Sequence, residues 1–492
     1  MKIPWRQIIL LAVVSALSLG GYLIVSHSIY RIGFPLDDAW IHQTYARNLA
    51  KTGEWAFIPG QPSGGSTGPL WGVLLSLGYV LRLGPYVWAF LLGWFLLFGM
   101  GILGVFAHQL IAPATKQFAI WSGVLLTLEW HLVWAAGSGM ETLAYTLVVT
   151  LVLILLMRKI ESYAGWLGIG LIIGLSIWLR PDGITLLGPA LFVILFSQSH
   201  WQKKIKTASV LILGFIILFA PYLGFNQILS GAWWPNTFFA KQAEYAADRE
   251  NLPFIVRLVR EFTLPLVGVG VVLLPGFLIK SYRILQQRNW RETAAAIWAL
   301  GYLVLYAMRL PVIYQHGRYV IPMMPTFFIL GFAGSCEWIR SDAVSTLRRI
   351  LSRTWLIVIP LVLLVFWGRG AIAYAKDVAV IESEMVVTAH WVAVNTPQDA
   401  LIAAHDIGAF GYFGGRKLLD LAGLISPDVI PFIRDENRLK DYLDSQGAEY
   451  LVTFPKWYPT LVSRAPLIFQ TTGKFSPSLG GENMAVYQWS SP

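Results

Sequence analysis

Eleven apolar runs, too many and too long for a water-soluble globule to bury, constrain this chain more than any other feature. They fall at about 8–28, 86–108, 118–136, 142–157, 163–179, 184–198, 206–224, 262–281, 293–309, 320–338 and 355–374. About 20 apolar residues span the hydrocarbon of a bilayer, so the pattern predicts a polytopic α-helical membrane protein with about eleven transmembrane helices. Composition agrees: of 492 residues, 56% are hydrophobic and only 13% charged.

The net charge of +10 is not that of a nucleic-acid binder, because Lys and Arg lie in clumps between the apolar runs. The first run follows Lys2 and Arg6. A cleaved signal peptide is the alternative, but no small-x-small site precedes Arg31, so the run reads as a signal anchor with a cytoplasmic N-terminus. The stretch 68–81, "GPLWGVLLSLGYVL", is too short for a confident crossing. Taken as re-entrant or interfacial, it leaves every basic cluster on one side: Lys116, Arg158/Lys159, Lys203/Lys204/Lys206, Lys280/Arg283/Arg288/Arg291 and Arg340/Arg348/Arg349/Arg353 join the N-terminal pair. That places the C-terminus outside the cytoplasm of a cell (inner) membrane protein.

The same parity gathers five polar stretches on the outer face: "PLDDAW" (35–40), "GSGMET" (137–142), "LRPDG" (179–183), "WWPNTFFAKQ" (233–242) and "YQHGRY" (314–319). Acids, a Lys, a His and two Arg residues beside Trp and Tyr point to a site at the membrane surface. Residues 1–375 read as the transmembrane domain, whose first outer loop, 29–85, carries amphipathic helices. Residues 376–492 read as a small extracytoplasmic α/β domain, with strand-like runs "ALIAAHDIGAFGYF", "RKLLDLAGLI" and "EYLVTF" around a helical "DENRLKDYLDSQG". The single cysteine, Cys336, excludes a disulfide framework and a cysteine metal site.

In "PLDDAWIHQTYARNLAKTG" the apolar spacing predicts an amphipathic helix ended by Gly53. One Asp of the pair Asp37 and Asp38 can serve as its N-cap. The second must be accommodated separately, because adjacent carboxylates raise one pKa or recruit a cation or hydroxyl.

The Asp-Asp-Ala of the first outer loop, followed by "YARNLAKTGEWAFIPGQPSGGSTGPLW", resembles the membrane glycosyltransferases of the C-type (GT-C) fold. So do "SGMET", "LRPDG", "PNTFFAK", "HGRY" and, in the tail, "DIGAFGYFGGRKLLDLAGLISPDV". The resemblance runs from about residue 30 to 435 and is strongest to mycobacterial terminal arabinofuranosyltransferases and bacterial enzymes related to dolichyl-phosphate-mannose-protein mannosyltransferases. It implies transfer of a sugar from a polyprenyl-phosphate donor to a hydroxylated glycan, lipid or protein acceptor, by a single inverting displacement. It also implies Asp38 as the base, with Asp37 an orienting neighbour or metal ligand, their roles being exchangeable at this level.

Glu141 is the second acid of the set, either positioning the acceptor or holding a cation, or a helix N-terminal acid favoured by the dipole. A divalent cation (Mg, Mn or Ca) would fall to Asp37 and Glu141. The leaving phosphate needs positive charge, for which Lys241, Arg318, His316 and Arg180 are candidates; snorkelling to lipid headgroups, or a local salt bridge from Arg180 to Asp182, are the alternatives. Asn236, Tyr319, Trp40 and Asp182 are candidate substrate contacts, although Trp in these loops also anchors at the interface. Glu129 and His131 are candidates to support the site or to bond between helices. "QPSGGSTGP" (61–69) offers backbone N–H groups or serves as a flexible connector. His405 and Asp406 resemble a catalytic pair only superficially, and the tail domain reads as acceptor-binding or structural. A transporter should show repeat symmetry and helices broken at mid-membrane, whereas here the polar motifs cluster in outer loops. A polymerase or ligase using a diphosphate-linked glycan is the other alternative, against which the first-loop Asp pair argues.

Overall fold

The computed structural model describes residues 3–312, 314–340 and 345–489. Each predicted apolar run is helical there. Six helices are long and apolar enough to cross a membrane: Trp5–Ile29, Gly84–Ile111, Trp201–Ser230, Val269–Gln286, Tyr314–Ile339 and Arg349–Asn395. A seventh span arises if the bent pair Pro113–Leu128 and Trp130–Gly137, at 51°, is counted as one. The figure of about eleven is not reached by this measure, because Thr142–Met157, Tyr163–Ile177 and Pro181–Leu195 are shorter than a full crossing and the run 293–309, in helix Trp290–Arg309, does not pass; Pro69–Val80 is likewise short, as its sequence predicts. The protein is a multi-pass membrane protein.

Glu129 causes the break in the bent pair. Its extended backbone ends one helix, and its side chain caps the next by accepting from the N–H groups of His131 and Leu132, while Oε1 meets His131 Nδ1 at 2.8 Å. Both residues therefore hold the bend. Elsewhere the bundle is drawn together by small residues: a Cβ on Gly174 would stand 2.7 Å from the carbonyl oxygen of Phe215, so helices Tyr163–Ile177 and Trp201–Ser230 pack backbone to backbone.

The loop between helices Trp5–Ile29 and Gly84–Ile111 folds onto the end of this bundle. Its helix Asp38–Thr52 ends at Gly53 in the left-handed conformation (φ 76°), as the sequence predicts. A short hairpin follows, β1 (Ala56–Ile58) with β2 (Gln61–Pro62). The ambiguous stretch 68–81 forms helix Pro69–Val80, fastened by Trp71 Nε1 to the carbonyl of Gly139 and by Leu70 N to that of Trp178.

The last spanning helix, Thr346–Ile381, continues through a π turn into Val387–Asn395, so the division expected at residue 376 falls inside a helix. The tail sheet begins after it: β3 (Leu401–Ala404), β4 (Lys417–Asp420), β5 (Tyr450–Thr453), β6 (Leu467–Gln470) and β7 (Ala485–Gln488), in the order β4-β3-β5-β7-β6. β3 pairs in parallel with β4 and β5, and β7 runs antiparallel to β5 and β6. The run predicted as one strand at 400–413 is strand only to Ala404; beyond it Phe410–Gly414 is helical. The side chains of Arg340 and Arg348 in the last basic cluster lie outside the described residues.

Candidate active site

Helix Asp38–Thr52 sets the geometry. Asp38 and His42 are one turn apart on it and so share a face, and both line a cavity of about 550 Å3. His42 Nε2 lies 3.1 Å from Glu141 Oε2, and its Nδ1 lies 3.3 Å from Ser66 Oγ. Glu141 is also 3.5 Å from Arg180 Nη1, whose Nε bonds Asp182 Oδ2 at 3.1 Å and whose Nη2 bonds Tyr306 OH at 3.1 Å. Tyr306 OH donates to Asp182 at 2.5 Å. Arg180 is thus fully committed to a buried network.

Arg318 is not. Its Nη2 donates to Asp38 Oδ2 at 2.6 Å and to Tyr319 OH at 3.0 Å. Its Nε and Nη1 are buried and, among the described residues, have no hydrogen-bond partner. Buried donors of a charged group are costly unless a ligand fills them. Lys241 lines the same cavity and donates to Glu244 Oε2 at 3.1 Å. Burial pushes the Asp38 carboxyl up, but Arg318 and then Lys241 outweigh it and hold Asp38 below the usual carboxylate range.

The two opening acids have separate surroundings. The Asp38 side chain is 32% exposed to the cavity. Asp37 occupies the N-cap position but makes no capping bond. Its oxygens instead accept the backbone N–H groups of Gly408 (2.7 Å) and Ala409 (2.8 Å), which follow β3 in the tail domain. As arranged, Asp37 and Glu141 do not fit a divalent cation: each carboxylate already faces N–H donors. Among the described residues, no three His, Cys, Asp or Glu side chains are grouped to hold a metal ion.

A family model described as a domain of unknown function (DUF8728) matches residues 372–487. No curated protein matches the sequence. ArnT from Cupriavidus metallidurans, solved bound to undecaprenyl phosphate, superposes with a TM-score of 0.59 at 15% identity, covering 96% of this chain and 97% of that chain. The Archaeoglobus fulgidus oligosaccharyltransferase in its apo form gives 0.60 at 12% identity, covering 92% of this chain and 69% of that one; it has also been solved in complex with zinc and sulfate. Arabinofuranosyltransferase AftD from mycobacteria gives 0.52 at 14% identity over 100% of this chain and 40% of that one. All three are GT-C glycosyltransferases.

This chain has the GT-C fold.

Within the GT-C fold, all five polar stretches reach one cavity, through Asp38, Glu141, Arg180 with Asp182, Lys241, and Arg318 with Tyr319. The Gly/Ser-rich segment joins them with Gly65, Ser66 and Thr67. Besides Asp37, three predicted residues lie elsewhere. His316 points to the opposite side of its turn from Arg318, because Gln315, His316 and Gly317 are consecutively left-handed (φ 54°, 57° and 67°); it bonds Asp377 Oδ2 at 2.8 Å in a second cavity. Trp40 is fully buried among Phe34, Tyr86, Tyr412 and Phe413. Asn236 donates to the carbonyl of Leu424 at 3.1 Å and so ties its loop to the sheet domain.

The sequence reading missed His42, which its spacing from Asp38 signals, and Tyr306, polar at one end of an apolar run. It also missed Glu244, which lies one turn beyond Lys241.

Proposed function

We propose that the GT-C chain is a membrane glycosyltransferase that moves a sugar from a polyprenyl-phosphate donor to a hydroxyl of a glycan, lipid or protein acceptor. The supporting observation is one cavity in which a partly exposed carboxylate, Asp38, meets two cations, Arg318 and Lys241, with two Arg318 donors buried and unpartnered. The ArnT neighbour, bound to undecaprenyl phosphate, favours a lipid phosphate as the group those donors take.

In this reading Asp38 is the base and Asp37 is not, since the latter is turned toward the tail domain. Asp38 takes the proton of the acceptor hydroxyl as its oxygen attacks the sugar C1; the C1–O bond to phosphate breaks, and the lipid phosphate leaves with the electron pair. Arg318 and Lys241 neutralise the charge that develops on it. Phosphate at Arg318 shares the guanidinium with Asp38 and so makes Asp38 a stronger base when donor is present. Glu141 holds His42 and Arg180 in place at the cavity wall. One displacement inverts the anomeric centre. No step passes through a metal ion. The clustering of Lys and Arg between spans supports a cytoplasmic N-terminus, with the cavity and tail domain on the outer face.

The test is release of polyprenyl phosphate from a panel of polyprenyl-phosphate sugars by purified protein in lipid, with a mixed acceptor pool, with and without EDTA. Sugar-specific release that Asp38→Asn abolishes is expected, unaffected by EDTA. Equal release by wild type and variant, or none from any donor, overturns the reading.

A further inference from the structure

A chain of polar contacts joins the five-stranded sheet domain to the cavity. Tyr458 OH lies 2.7 Å from His405 Nδ1, and His405 Nε2 lies 3.8 Å from Glu244 Oε1. Glu244 Oε2 in turn accepts from Lys241 Nζ at 3.1 Å. The two oxygens of one carboxylate are therefore divided between a cavity cation and an imidazole from the sheet. His405 directly follows β3, and its ring stands edge-on to Trp457, so its place is fixed by the tail domain rather than by the membrane helices.

The charges suit a competition. Burial pushes the His405 imidazole down, but Glu244 and Asp406 outweigh it and leave it above its ordinary value, against Lys241. Burial raises Glu244, and Lys241 followed by His405 more than reverse this. The titratable groups around His405 are thus Glu244, Asp406, Lys241, Tyr458 and Asp420.

We propose that His405 and Glu244 are positioning residues for Lys241, through which the sheet domain sets how strongly the cavity holds a phosphate. This rests on the phosphate role given to Lys241 above. A phosphate reaching Lys241 competes with Glu244 for one ammonium. With His405 as a second partner, Glu244 releases Lys241 without becoming an unpaired buried carboxylate. Without His405, Glu244 keeps Lys241 and the Tyr245 hydroxyl, and grips the ammonium harder. Without the Glu244 charge, Lys241 has no competing anion. Two substitutions in one chain of contacts therefore shift phosphate affinity in opposite directions, which a general loosening of the fold does not do.

The experiment is equilibrium binding of undecaprenyl phosphate to the full-length chain in nanodiscs, with the melting temperature of each variant recorded. Glu244→Gln is expected to tighten binding about three- to tenfold and His405→Gln to weaken it by a similar factor, the scale of one partly exposed ion pair. The double variant should follow Glu244→Gln. His405→Asn serves as a second probe should His405→Gln not fold. Shifts of the same sign, or no shift in variants whose wild-type parent binds the lipid, overturn the proposal. A wild type that does not bind the lipid overturns the phosphate assignment itself, and the proposal with it.

Discussion

Arg318 Nη2 donates to Asp38 Oδ2 at 2.6 Å, whereas Asp37, one residue earlier, gives both oxygens to backbone N–H groups of the tail domain. Neighbours in sequence thus do different work: one carboxylate faces the cavity, and the other fastens the helix Asp38–Thr52 to the segment after β3.

Asp38→Asn should lower turnover by about 100- to 10,000-fold without weakening donor binding, since it removes a proton acceptor and little volume and frees Arg318 from a competing carboxylate. Asp37→Asn should retain measurable turnover but melt earlier, by about 1–3 kcal/mol, because its amide NH2 cannot accept a backbone N–H. Single-turnover kinetics and thermal melts of the two variants check the division of roles.

Arg318→Lys should raise the donor KM about tenfold, because an ammonium lacks the planar fork that serves Asp38 and an incoming phosphate together. Arg180→Lys acts elsewhere: it breaks the network to Asp182, Tyr306 and Glu141, so its first effect should be a lower melting temperature. The contrast is read from KM and Tm measured on the same preparations.

The helices and the meeting of the loops were legible in the sequence because apolar length and basic clumping act locally along the chain. Parity groups the loops that carry Asp38, Glu141, Lys241 and Arg318, whereas the choice of Asp38 as base rests on the GT-C resemblance. The destination of Asp37 was not legible, since nothing in "PLDDAW" encodes amides 371 and 372 residues later. His316 was misplaced for a local reason: three successive left-handed residues turn it away from Arg318, and "QHG" shows only the glycine as permissive. Trp40 reads like an interfacial anchor in composition, yet Phe34 from its own loop and Tyr86, Tyr412 and Phe413 from distant segments enclose it.

Gly408→Ala should uncouple the tail sheet from helix Asp38–Thr52. A Cβ there would stand 2.7 Å from Asp37 Oδ2 and closer still to the Asp37 carbonyl oxygen. Both are held by helix Asp38–Thr52, so the tail must shift and the Asp37 bonds lengthen, at about 1–3 kcal/mol. Hydrogen exchange should show faster opening at 405–411 than in wild type. An alanine variant with unchanged exchange and melting would mean that the interface is loose.

Stability should fall as pH rises through neutral, owing to the second carboxyl behind Asp37. Asp406 Oδ2 is buried with no hydrogen-bond partner among the described residues. Burial, followed by the charge of Asp406, pushes Asp37 up against the pull of the Ala409 and Gly408 amides; burial raises Asp406 against His405. Both folded values lie above the ordinary carboxylate value of about 3.9, so the native state keeps protons that the unfolded chain has lost. The stability they contribute is complete below that value and is lost as pH rises through the raised range. His405, also raised, adds to the same falling limb. Asp38 has the opposite sign: lowered in the fold, it contributes above the ordinary value and its share is lost as pH falls. Melting followed by Trp fluorescence from pH 5 to 8.5 should therefore decline more steeply in wild type than in Asp406→Asn, which has no proton to lose. Parallel declines would show that Asp406 is ionised throughout and that the pair does not share its charge.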